Sequence, residues 1–169
     1  MVGIKQFLLL TLLLSCSYLN DGLPNGAPTD ACGGMIPAHH HDSVPLLPQP
    51  DSTFPYTFEA PFENGDTLWG GDPVTIKLSS NFQGFLIEAR QNGDAIGQFD
   101  ISGDENIQTI DCGNGQKNAI THTNPTVKES ITATWIAPSG FDRHQGAVEF
   151  HLTVAETHDK FWVAHVVNV

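Results

Sequence analysis

The feature that most constrains this chain is a period of two that returns along most of its length. Val74, Ile76 and Leu78 alternate with Thr75, Lys77 and Ser79. Phe85, Ile87 and Ala89 alternate with Leu86, Glu88 and Arg90. Ile131, Ala133 and Trp135 alternate with Thr132 and Thr134, and Val148, Phe150, Leu152 and Val154 alternate with Glu149, His151 and Thr153. Successive strand side chains point to opposite faces, so each segment reads as a half-buried β-strand. Residues 56–60, 95–101, 107–111 and 161–167 are further strand candidates. Turn signals separate them: Gly70-Gly71-Asp72-Pro73, Ser102-Gly103-Asp104, Pro138-Ser139-Gly140, and Asn92-Gly93, which suits a tight hairpin because both central residues of that turn need positive φ. No segment sustains a helical period. About seven to nine short strands in one domain predict an all-β fold, an immunoglobulin-like antiparallel β-sandwich. Trp135 follows the second of the two candidate pairing cysteines, which separates it from antibody-type domains.

The two ends of the chain set the context. Lys5 followed by the apolar run Phe7-Leu8-Leu9-Leu10-Thr11-Leu12-Leu13-Leu14 and the small residues Ser15-Cys16-Ser17 reads as a secretory signal over residues 1–20, cleaved at about 17–22. The run is shorter than the ~20 residues a bilayer span needs. Cleavage removes Cys16 and leaves Cys32 and Cys112. An even count in an exported chain reads as one disulfide, against the alternative of two free thiols. Residues 21–55, rich in Pro, Gly, Asp and His, read as an extended arm tied to the domain through Cys32.

Charge narrows the partners. With 19 Asp+Glu against 7 Lys+Arg, the chain lacks the basic surface that nucleic acid requires. The same balance opposes adhesion to anionic membranes, so an anionic microbial lipid would have to enter a local pocket.

Few residues offer chemistry. His39-His40-His41-Asp42 carries metal-ligating groups, but consecutive residues of an extended arm point in alternating directions, so we read a polar turn with His39 partly packed and assign no metal. His122 is either a ligand contact or, preferred, a hydrogen-bonded histidine fixing a strand end. Asp100, Asp104, Glu105 and Asp111 lack calcium-loop spacing and read as solvated turns. Trp135 reads as core, whereas Trp69, beside Gly70-Gly71, is the tryptophan best placed for exposure and for stacking on a glycan or protein partner. No nucleophile elbow, His-Glu-x-x-His or phosphate-binding glycine loop is present, which predicts a non-enzymatic protein without a cofactor. Pro125 blocks the one glycosylation-like site, Asn124-Pro125-Thr126.

An ordered series of short motifs carries a family resemblance. Met35-Ile36-Pro37-Ala38-His39 is followed by residues 82–90 (FQGFLIEAR) and Gly97-Gln98-Phe99. Then come Cys112, Ile120-Thr121-His122-Thr123-Asn124, Thr134-Trp135-Ile136-Ala137-Pro138 and Phe161-Trp162-Val163. Over residues 28–169 the series resembles the reeler (reelin-type) domain, and most of all the short secreted insect defence proteins of the noduler kind. In that pattern an early cysteine bridges to one after the middle strands, and His39 and His122 fall on recurring positions of no assigned role. The resemblance implies a secreted innate-immune protein that binds microbial cell-surface components or blood-cell surface proteins and promotes blood-cell aggregation (nodulation). An extracellular structural or developmental module of the reelin type is the alternative, because fold alone does not fix function. Other members of the family accompany haem-carrying membrane segments, for which this sequence shows neither the segments nor a haem ligand pair. The expected binding residues are Trp69, His39 and His122, and an aromatic-lined cleft between arm and sandwich is the default site, with no residues assigned to it.

Overall fold

The computed structural model describes residues 23–61 and 67–169, so the expected leader over residues 1–20, with Cys16, lies outside the described residues. In chain order the strands are β1 (His40–His41), β2 (Val44–Pro45), β3 (Thr57–Glu59), β4 (Pro73–Phe82), β5 (Gly84–Gln91) and β6 (Asp94–Ala95). They continue as β7 (Gln98–Asp100), β8 (Ile107–Ile110), β9 (Ala119–His122), β10 (Lys128–Ile136), β11 (Glu149–Thr157) and β12 (Lys160–Asn168). Nine of these strands span three or more residues, and β1, β2 and β6 are two-residue pieces. All pairings are antiparallel: β3-β4-β10-β7 form one sheet and β12-β11-β5-β9-β8 the other, with β6 also on β5.

The alternating apolar residues meet between the sheets. Val74, Ile76 and Leu78 of β4 and Ala133 and Trp135 of β10 face Phe85, Ile87, Phe150, Leu152 and Val154 of the opposite sheet in one buried cluster. Trp135 is completely buried; its indole N–H donates to the Ile96 carbonyl (3.0 Å) and its ring meets Phe150 edge-on. Only Gln83 separates β4 from β5, so the chain passes from one sheet to the other in a single step, after Ser80 takes a φ of 101°. Asn92 and Gly93 form the expected tight hairpin, with φ values of 55° and 88° between the paired residues Gln91 and Asp94.

One expectation needs correction. The alternation of β5 predicts one buried face, yet every residue from Gly84 to Ala89 is buried. The second face is dry because the arm lies across it. Cys32 and Met35 pack on Leu86, Ala119 and Cys112 in a separate cluster on the outer side of the six-stranded sheet. The Cys32–Cys112 disulfide joins arm to sheet across a sequence separation of 80 residues.

Farther along, the arm covers an edge. The Gln49 N–H donates to the Phe161 carbonyl (2.7 Å), and the Trp162 indole donates to the Thr53 hydroxyl (2.9 Å). These contacts occupy β12, whose free edge would otherwise offer unpaired backbone groups to another chain.

Candidate functional site

The inner arm makes no strand pairing with the sheet beneath it, so its backbone polar groups need other partners. Side chains of the sheet's outer face supply them. The Thr121 hydroxyl accepts the Ala27 N–H (2.9 Å) and donates to the Phe85 carbonyl (2.6 Å). The Thr153 hydroxyl donates to the Met35 carbonyl (2.7 Å) and accepts the N–H of Ala164 (3.1 Å), which bulges out of β12 with a φ of 50°. Gln108 donates to the carbonyls of Asn25 and His122, and Arg90 to the carbonyls of Cys32 and Gly33. Gly26 permits the closest approach: at its φ of 116° a Cβ would lie 2.2 Å from the Gln108 amide and 2.6 Å from the His122 carbonyl.

Beside the disulfide the arm seals against the sheet around a buried charge. Glu88 is 1% exposed and pairs with Arg90 (2.8 Å). Burial raises its pKa, and Arg90 opposes the shift. Its carboxylate lies 3.5 Å from the Cys112 sulfur. Cys32, Glu88 and Cys112 bring metal-ligating atoms together, but both sulfurs are consumed in the disulfide, which leaves no thiolate to bind a metal.

Between the arm and the sheet lies a cavity of about 410 Å³. Gly84, Leu86, Thr153 and Ala155 line the sheet side; Ala27, Ala31, Met35 and Ile36 line the arm side. Gly84 and Ala155 are directly paired across β5 and β11, so two small residues lie next to each other on the sheet side of the cavity. Three imidazoles border the space: His39, His122 and His158.

His122 ends β9, as expected of a histidine fixing a strand end, and its Nδ1 accepts the Phe85 N–H (3.2 Å). Gly84 makes room for the ring, since a Cβ there would stand 3.1 Å from His122 Cε1. Burial lowers the His122 pKa, and hydrogen bonding to the Phe85 backbone partly opposes this. His39 stacks on His158 (centroids 4.6 Å apart) and meets Phe161 edge-on (4.9 Å). Its pKa is lowered by burial first and by the neighbouring His158 second. Its Nδ1 is buried without a hydrogen-bond partner. Lys128 fixes the adjacent loop by donating to the carbonyls of Gln83 (3.0 Å), Asn124 (2.8 Å) and Thr126 (2.8 Å).

The structure thus brings His39 and His122 to one cavity and leaves Trp69 elsewhere. Trp69 is 59% exposed beside the start of β4, with the Arg143 guanidinium over its ring at 5.3 Å. The cavity adjoins the far end of β4, roughly 30 Å away for ten strand residues. His40 and His41 sit in the β1–β2 hairpin, where His41 pairs with Asp42 at the surface. The suspected acidic loop caps its own turns: Asp100, Asp104 and Asp111 accept the N–H groups of Ser102, Asn106 and Lys117. Sequence reasoning missed His158, Gly84, Thr153 and Ala155. Of these only His158, in the turn between two apolar strands, carried a chemical signal.

The reeler domain profile matches residues 30–168. The chain is 32% identical over 164 residues to "Putative defense protein 3" of Antheraea mylitta, covering 94% of this chain and 92% of that protein. It is 36% identical over 157 residues to human ferric-chelate reductase 1, covering 90% of this chain but 24% of the reductase. Among solved structures, the human F-spondin reeler domain superposes with a TM-score of 0.52 at 21% identity, over 68% of this chain and 86% of that one, a likeness of fold. No helix among the described residues is long and apolar enough to cross a membrane.

Proposed function

This chain belongs to the reeler domain family, and from that premise we propose that it is a secreted, non-catalytic defence protein that binds microbial surface components and promotes blood-cell aggregation. The observation that carries the reading is the cavity between arm and sheet, bordered by His39 and His122. Concave, mostly apolar spaces with a few convergent polar groups are the usual form of a ligand site. Likeness to a defence protein along nearly its whole length supports the role. The reductase likeness covers about a quarter of that enzyme and lends this chain no redox chemistry. Trp69, exposed at the other end of the sandwich, is a second contact surface for a glycan or a blood-cell protein.

Capture of disulfide-intact protein on whole bacteria, yeast and purified cell-wall polymers, at low and physiological salt, tests the proposal. Saturable capture that survives physiological salt is expected, because an acidic protein cannot rely on long-range attraction to an anionic surface. Absence of capture on every microbial surface would overturn it in favour of a host-protein partner.

A further inference from the structure

The cavity supports a more specific assignment, which rests on reading it as the ligand site. We propose that it holds a single unbranched acyl chain, presented as an ester, with the ester group against the imidazoles of His39, His122 and His158.

Four observations point there. The lining is largely aliphatic along the arm and the sheet, and the paired small residues Gly84 and Ala155 leave room on the sheet side. Thr153, Ala155 and Thr157 of β11 line the cavity over about 13 Å of strand, a length that suits a flexible chain. A stacked sugar would need an aromatic platform, but the exposed Trp69 lies at the other end of the sandwich and Phe85 is spent in the core.

The rim is apolar as well. Leu23 and Ile36 line the cavity and are 51% and 65% exposed, so aliphatic surface continues from the interior to the mouth. A chain entering from a lipid assembly would cover them.

The imidazoles are gathered at one end, while Asp30 borders the arm side and the Thr153 hydroxyl is already spent on the Met35 carbonyl. Gly84 abuts His122, and His158 follows Thr157 at the end of β11 and stacks on His39. Away from the imidazoles the lining includes Ala27, Ala31, Met35 and Leu86. The rings of His39, His122 and His158 all border this end, so it is where imidazole groups can meet a ligand oxygen.

Charge selects the head group. The chain carries a formal net charge of −12. An ionised carboxylate would enter against that field, whereas an ester brings the same chain and two oxygens without charge.

The test is equilibrium dialysis of the disulfide-intact protein with labelled 1-monotetradecanoylglycerol and, in parallel, labelled tetradecanoate. Saturable 1:1 binding of the glycerol ester, at least tenfold tighter than the free acid, is expected. Equal or tighter binding of the free acid would overturn the ester assignment. Ala155→Phe fills the sheet side of the cavity and is expected to weaken ester binding at least tenfold. Ile36→Asp changes an exposed rim residue, leaves folding intact and is expected to weaken it severalfold, so the test stands even where Ala155→Phe misfolds. Lys77→Ala, at an exposed position on β4 of the opposite sheet, is expected to bind the ester unchanged. No saturable binding, or binding indifferent to both cavity variants, would overturn the proposal. Microbial capture without ester binding would remove this inference alone; ester binding without microbial capture would remove the defence reading and leave the chain site standing.

Discussion

The two faces of the six-stranded sheet are both buried, yet they are built differently. The inner face meets the other sheet through Phe85, Ile87, Phe150, Leu152 and Val154, an apolar jigsaw of aromatic and branched side chains. The outer face meets an irregular arm through Leu86, Glu88, Thr121 and Thr153, where each polar side chain holds an arm backbone group, a charge partner or both. Packing density fixes the first interface. Directional bonds and one covalent link fix the second, which can therefore leave a gap without losing its register. That difference places the cavity on the outer face, away from the core that stabilises the domain.

The largest contrast should come from cutting the covalent link. The Cys32→Ser, Cys112→Ser double variant loses a loop closure worth about 4.5 kcal/mol in the chain-entropy model. Urea denaturation should show the loss. Hydrogen exchange should show it confined at first to residues 27–38, with β4 and β10 still protected. Equal loosening of both faces would dissolve the distinction between them.

Trp135→Ala attacks the other interface. Truncating a fully buried tryptophan should cost about 4 kcal/mol, since the cavity left behind adds to the lost transfer energy. Here the whole domain should unfold earlier in one cooperative transition.

Thr153→Val sharpens the comparison at the level of a single bond. It keeps the shape and strands the Met35 carbonyl and the Ala164 N–H. The expected cost is about 2 kcal/mol. Leu152→Thr on the opposite side of the same strand would instead place a hydroxyl in the apolar core.

How much of this was legible in the sequence follows the same division. The inner face was written in the alternation of Val74, Ile76 and Leu78 and of Phe150, Leu152 and Val154, and Asn92-Gly93 marked its hairpin. The outer face was not. Alternation separated Leu86 and Glu88 from Phe85 and Ile87, but a period of two says nothing about what covers the second face. The four residues of β9, with Ala119, Ile120 and Thr121 all buried, show no alternation either. Cys32 showed that the arm must touch the body, and the Met35–His39 motif lay within it. The cavity itself depends on Gly84, Ala155, Ala27 and Ala31, small residues whose meaning comes only from their neighbours.

Acid should act on the outer face first. The pKa values of His39 and His122 are lowered in the folded chain, mainly by burial, while unfolded imidazole titrates near 6.5. On acidification the unfolded chain takes up these protons more readily, so stability is intact above about 6.5 and falls as pH drops through the lowered folded values. Denaturant midpoints between pH 7.5 and pH 5 should decline by less than the hydroxyl deletion costs. A His39→Asn, His122→Asn variant should show a flatter slope.

Trp69→Ala should have the smallest effect. Its side chain is largely exposed and makes one cation–π contact, so stability should change by no more than about 0.5 kcal/mol. A larger loss would mean that the Trp69 loop belongs to the core.

On this reading the seam between arm and sheet is where the domain meets its ligand. Hydrogen–deuterium exchange of the disulfide-intact protein, with and without a purified cell-wall polymer that captures it, tests this most directly. New protection is expected in residues 23–39, 83–86, 122–125 and 153–158. Protection confined to residues 69–72 and 138–143, around Trp69 and Arg143, with the seam unchanged, would contradict it.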